Sequence, residues 1–79
     1  MTYVYILQSE TDTERYYVGL TGDLRNRLPS HNAGRVAHTS KYRPWRLNTY
    51  VAFSDKNRAA LFEQYLKTGS GRAFSRKRL

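Results

Sequence analysis

The nine residues WRLNTYVAF, from Trp45 to Phe53, constrain the fold of this chain more than any other stretch. Trp45, Leu47, Thr49, Val51 and Phe53 alternate with Arg46, Asn48, Tyr50 and Ala52. A period of two predicts a β-strand with one face on a core and the other toward solvent. A strand needs partners, and two other segments rich in β-formers can supply them. These are Tyr3 to Leu7 and Arg15 to Leu20, separated by the polar connection Ser9 to Glu14, which is of hairpin size. A hairpin predicts antiparallel pairing. If Val4 and Ile6 pair with Val18 and Leu20 over the core, Tyr5 and Tyr17 fall together on the other face.

Two helices and a tail account for the rest. Thr21 or Asp23 is the expected N-cap of a helix running toward Gly34, with Leu24 and Leu28 four apart on its buried stripe. Arg27 and His31 have the same spacing and are neighbours on another face. Pro29 removes one intrahelical hydrogen bond and crowds the Arg25 carbonyl, at a cost of about 3 kcal/mol, so a kink or early end near Leu28 is expected. Val36 to Pro44 reads as a basic loop with at most one helical turn. Ser54 or Asp55 caps a second helix that extends through Lys67, with Ala59, Phe62 and Leu66 on its apolar stripe. Gly69 is the expected stop, and GRAFSRKRL a short final helix packing Phe74. The expectation is one α/β (α+β) domain over residues 1–79: a small, mainly antiparallel three-stranded sheet flanked by helices.

Length and charge narrow the function. Seventy-nine residues leave no room for a second domain. There is no cysteine, so disulfides and thiolate metal sites are excluded and nothing argues for an oxidising compartment. The apolar run before Gln8 is too short for a signal peptide or a membrane span, so a soluble, cytoplasmic protein is expected. Fourteen Lys and Arg against six Asp and Glu give a net charge of +8. After Asp23 the only acids are Asp55 and Glu63. Such an excess repels itself unless a polyanion neutralises it, and seven tyrosines among arginines suit stacking beside phosphate contact. Nucleic acid is therefore the expected partner.

The order strand, hairpin, strand, helix, strand, helix, with YVY in the first strand and YVG in the second, resembles the GIY-YIG nuclease superfamily. It is particularly similar to small stand-alone bacterial members related to the N-terminal nuclease domain of the excision-repair protein UvrC. Tyr5, in Val4-Tyr5-Ile6, stands at the first motif's tyrosine, and Tyr17-Val18-Gly19 is the second motif. Arg27 follows Tyr17 at the family arginine, His31 lies one helical turn on, and Glu63 in LFEQYLK aligns with the metal-binding glutamate. Leu20 stands where several active relatives carry a lysine, and the first motif lacks its glycine.

The resemblance implies a metal-dependent endonuclease acting on nucleic-acid phosphodiesters, DNA more than RNA, in repair or DNA processing. Catalysis would fall to Tyr5, Tyr17, Arg27, His31 and Glu63. Glu63 would anchor one Mg²⁺ or Mn²⁺, for which a single carboxylate suffices when the ion keeps most of its waters. Arg27 would pair with the scissile phosphate, and either Tyr5 or Tyr17 would meet the attacking water. Candidate phosphate contacts are Arg25, Arg35, His38, Thr39, Ser40, Lys41, Arg43, Lys67 and Arg72. The competing expectation is a non-catalytic DNA- or RNA-binding module that keeps the fold and the charge. A protein partner for targeting is compatible with either.

Overall fold

In the computed structural model, which describes residues 1–79, β1 (Thr2–Ser9) lies between the other two strands. It pairs antiparallel with β2 (Tyr16–Thr21) on one side and with β3 (Trp45–Phe53) on the other. Every residue from Val4 to Ser9 is buried, because both faces of the central strand are covered. This explains why β1 alternates so weakly in sequence: a strand covered on both faces need not alternate. The hairpin register is the expected one, with Val4 opposite Leu20, Ile6 opposite Val18 and Tyr5 opposite Gly19. The fold is therefore α+β, a three-stranded antiparallel sheet with three helices.

Two separate cores form, one on each face of the sheet. Val4 and Ile6 meet Ala59 and Leu66 of α2 (Lys56–Leu66), with Phe74 of α3 (Gly69–Arg78) closing the cluster. Tyr5, Leu7 and Trp45 form the opposite core, against Leu24 and Leu28 of α1 (Leu24–Asn32) and Tyr42. A 3₁₀ turn over Ser40–Tyr42 is the single helical turn expected in the basic loop.

Trp45 and Phe53 thus lie on opposite faces, contrary to simple alternation. Ile6 pairs with Thr49 but Leu7 pairs with Leu47, so Asn48 is an extra residue in β3. A bulge of this kind inverts the phase of all that precedes it. Thr49, Val51 and Phe53 serve the α2 side, whereas Trp45 and Leu47 serve the α1 side. Both backbone groups of Trp45 are clamped by the Asn32 amide: its N–H donates to Asn32 Oδ1 at 2.6 Å, and its carbonyl accepts from Nδ2 at 3.0 Å.

The helix boundaries bring two corrections. Helix α1 does not end near Leu28 but runs through Pro29 to Asn32. Asp23 holds its start by accepting from the Asn26 N–H. At its end Gly34, at φ +79°, donates to the His31 carbonyl while Arg35 donates to that of Ser30. That paired closure requires a left-handed residue, which glycine adopts freely, and the tertiary packing of Leu24, Leu28 and His31 offsets the proline penalty. Nor does Gly69 stop the second helix. The helix ends at Leu66, and Thr68 caps α3 by accepting from Gly71 N–H, so Gly69 is the first residue of a ten-residue helix. Thr68 competes for that break because its hydroxyl can satisfy a free helix N–H, which a glycine cannot. No helix is long and apolar enough to cross a membrane.

Candidate active site

Residues from β1, β2, α1 and the loop before β3 converge around one phenol. The Tyr5 ring crosses β2 at Gly19, where a Cβ would collide with the Tyr5 Cζ and Oη atoms. The glycine of the YVG motif is thus the space that the Tyr5 ring fills. One turn of α1 presents Arg27 and His31 to the ring's hydroxyl, since residues four apart stack on a helix face. Arg27 Nε donates to Tyr5 Oη at 3.2 Å, and Tyr5 Oη lies 2.8 Å from His31 Nε2. The other imidazole nitrogen, Nδ1, lies 2.7 Å from Thr39 Oγ1. Trp45 Nε1–H donates to the Thr39 carbonyl at 2.7 Å and ties that loop to β3. Tyr17 stands beside the cluster, its ring centroid 4.9 Å from that of His31 in an edge contact and 6.2 Å from that of Tyr5.

The two tyrosines differ in environment. Tyr5 is 1 % exposed and both partners of its hydroxyl are protein groups. Tyr17 is half-buried, and its hydroxyl lies close enough to the Arg27 guanidinium to help hold it protonated. Burial pushes the Tyr5 phenol above its ordinary pKa of 10.0, outweighing the Arg27 hydrogen bond that favours the phenolate. Tyr17 and the Glu63 carboxylate push in the same direction as burial. The Arg27 guanidinium is held protonated first by its bond to Tyr5. Burial, followed by the charge of Arg27, lowers His31 below 6.5 and keeps its ring neutral.

The His31 shift makes stability depend on pH. A histidine depressed in the fold binds its proton less readily than in the unfolded chain, so its contribution is present above about pH 6.5. It is lost as pH falls through the folded value. The melting temperature should decline between neutral pH and about pH 5, and that slope should be shallower in His31→Gln when followed by calorimetry. An unchanged slope would mean that His31 is not the group responsible.

Glu63 makes no hydrogen bond to this cluster. It belongs to α2, the helix packed on the other face of the sheet, and its charge acts on the Tyr5 phenol. Its side chain is 16 % exposed, and its carboxylate lies 2.6 Å from Lys67 Nζ, one turn along the helix. No group of three or more His, Asp or Glu side chains is placed to hold a metal. Asp55 and Asp23 are occupied as caps of α2 and α1. The donor set therefore suits one hydrated hard cation on a single carboxylate and does not suit a two-metal site.

The candidate phosphate contacts divide. Arg25, Arg35, His38, Lys41, Arg43 and Arg72 are exposed. Lys41 stands 5.6 Å from the Tyr42 ring centroid, and Arg43 Nε donates to the Ser40 carbonyl at 2.8 Å. Lys67 is exposed but paired with Glu63. Ser40 spends its hydroxyl on the Ala37 carbonyl. Thr39 cannot contact phosphate: it is completely buried, because its hydroxyl faces His31 and its carbonyl faces the Trp45 indole. Sequence reasoning did not find the partnership of Thr39 with His31. Seven residues, the end of α1 and then loop, separate the two, and no periodicity marks a contact made through a loop.

The fold and this cluster define a class: a small α+β scaffold carrying an arginine, two tyrosines and a histidine on one sheet face. The family model of the GIY-YIG catalytic domain matches residues 1–77. The chain belongs to the GIY-YIG family. It is 39 % identical over 66 residues to UPF0213 proteins of Streptococcus pyogenes serotypes M5 (strain Manfredo) and M2 (strain MGAS10270). That match covers 82 % of this chain and 70 % of each relative. No solved structure matches.

Proposed function

We propose that the protein is an endonuclease that hydrolyses phosphodiester bonds, DNA more than RNA, with a divalent ion, in DNA repair or processing in the cytoplasm. The observation that carries this reading is the arginine fork anchored by a buried phenol beside a second, half-buried phenol on the same sheet face. Arg27 spends Nε on Tyr5, which leaves its two terminal nitrogens to grip a phosphate. Their geometry is then set before substrate arrives, and preorganised charge is what stabilises a developing phosphorane. Tyr5 is buried and kept protonated, so it holds Arg27 rather than activating water. Tyr17, half-buried beside the same guanidinium, is the phenol open enough to meet the attacking water. Glu63 would hold the ion, Mg²⁺ or Mn²⁺, whose chemistry is Lewis-acid polarisation of a phosphate oxygen. Arg25, Arg35, His38, Lys41, Arg43 and Arg72 would follow the backbone on either side.

The test is cleavage of branched, nicked and single-stranded DNA, with and without Mn²⁺. Tyr17→Phe removes only a hydroxyl, so folding and binding should survive while the rate falls about 10²-fold or more. Tyr16→Phe, on the opposite face of β2, should cut at nearly the wild-type rate. Equal losses at both positions would make the tyrosines structural.

The Lys67–Glu63 ion pair favours a second reading, a nucleic-acid-binding module without activity, because it already neutralises the proposed metal anchor. Salt-sensitive binding without cleavage under any metal condition would establish that reading instead.

A further inference from the structure

We propose that Thr39 is a positioning residue that fixes His31 in the Nδ1–H form, so that His31 can accept the Tyr5 proton and leave the Tyr5 oxygen to hold Arg27. The catalytic part of this inference rests on the nuclease reading; the tautomer itself does not.

The assignment follows from counting protons. Tyr5 is sealed from water, and its hydroxyl has two neighbours. Arg27 Nε can only donate. The Tyr5 proton therefore has one acceptor within reach, His31 Nε2 at 2.8 Å, which must be bare. A neutral imidazole with a bare Nε2 carries its proton on Nδ1. That proton goes to Thr39 Oγ1 at 2.7 Å, and the Thr39 proton goes to the Val36 carbonyl at 3.3 Å. Every buried side-chain polar atom then has a partner.

The opposite direction fails at one atom. If Thr39 donated to Nδ1, Nε2–H would point at the Tyr5 oxygen together with Arg27 Nε–H. The buried Tyr5 proton would then have no acceptor, which is costly. An imidazolium fails in the same way, and the lowered proton affinity of His31 agrees. The chain of donors thus runs one way, from Arg27 through Tyr5, His31 and Thr39 to the Val36 carbonyl. Thr39 is its terminal acceptor for the ring, and the Trp45 indole fixes Thr39 in place.

Nitrogen NMR of the imidazoles near neutral pH tests this directly. Wild-type protein should show a pyrrole-type Nδ1 and a pyridine-type Nε2 for His31, with exposed His38 as the internal reference. Thr39→Val keeps the shape and removes the acceptor, so the Nε2–H form should appear; Thr39→Ser should restore the wild-type pattern. In cleavage assays, Thr39→Val should lower kcat about tenfold with KM nearly unchanged, and Thr39→Ser should recover most of the loss. A wild-type Nε2–H form or imidazolium would overturn the proposal, as would a Thr39→Val protein with unaltered tautomer and kcat. If Thr39→Val does not fold, the wild-type and Thr39→Ser spectra still decide. If the tautomers behave as stated and wild-type protein cuts nothing, the positioning role of Thr39 stands and the nuclease reading falls.

Discussion

Glu63→Gln should bring cleavage below wild type by ~10³-fold or more, because it removes the one carboxylate suited to holding the divalent ion. Size and helix propensity are preserved, so the circular dichroism spectrum should not change. Binding of nucleic acid without metal should hold or tighten, since a negative charge leaves a basic surface and Lys67 is released from its ion pair. Metal binding followed by calorimetry should weaken in parallel with cleavage. Lys67→Met supplies the contrast: it frees the carboxylate, so cleavage should persist and metal affinity should not fall. Metal-dependent cleavage at the wild-type rate in Glu63→Gln would exclude this residue as the anchor. The remaining carboxylate of the basic region, Asp55, caps α2, which makes it a poor substitute.

The second large effect is expected at Gly19. An added methyl would collide with the end of the Tyr5 ring. In a looser site that end could swing aside, but here Arg27 and His31 hold it and the ring is buried. Gly19→Ala should therefore cost about 1–3 kcal/mol, as overpacking in a core usually does. For a chain of this length the melting temperature would fall by roughly 5–20 °C. Cleavage assayed well below the melting point should be lost to a greater degree than stability, because the atoms displaced are those that orient Arg27. Gly22→Ala is the control, as a Cβ there meets nothing within 4 Å. Equal melting temperatures for the two variants would mean that Tyr5 does not depend on the Gly19 space.

Local regularity in the sequence carried much of this arrangement. The shared face of Tyr5 and Tyr17 follows from a period of two and a hairpin, and the proximity of Arg27 to His31 follows from a helical turn. The cap of α2 was narrowed to Ser54 or Asp55, and it is Asp55, because a side-chain acceptor two or three residues before free N–H groups is a local event. Features decided between distant segments were not legible. Pro29 gave a sound local reason for α1 to end, but burial of His31 and the Gly34 closure outweighed it. Thr39 looked like one polar loop residue among several and is instead enclosed by His31 and Trp45. The Lys67–Glu63 pair shows a different limit. Its spacing of four stands in EQYLK, but the two residues have separate expected roles, Glu63 toward an ion and Lys67 toward phosphate, and neither role implies the pair.

The extra residue in β3 has a consequence for how this chain can tolerate change. Because Asn48 is exposed and its side chain makes one long contact to Gln8 Oε1, at 3.4 Å, many residues could replace it. Removing it should be tolerated as well, because Leu47 would then directly precede Thr49 and each would keep its partner, Leu7 and Ile6, in a regular ladder. A residue lost from Trp45–Leu47 would instead carry the indole to the other face of the sheet and out of the Thr39 loop. The loop that orients His31 thus tolerates a change of chain length at Asn48 and not a few residues earlier.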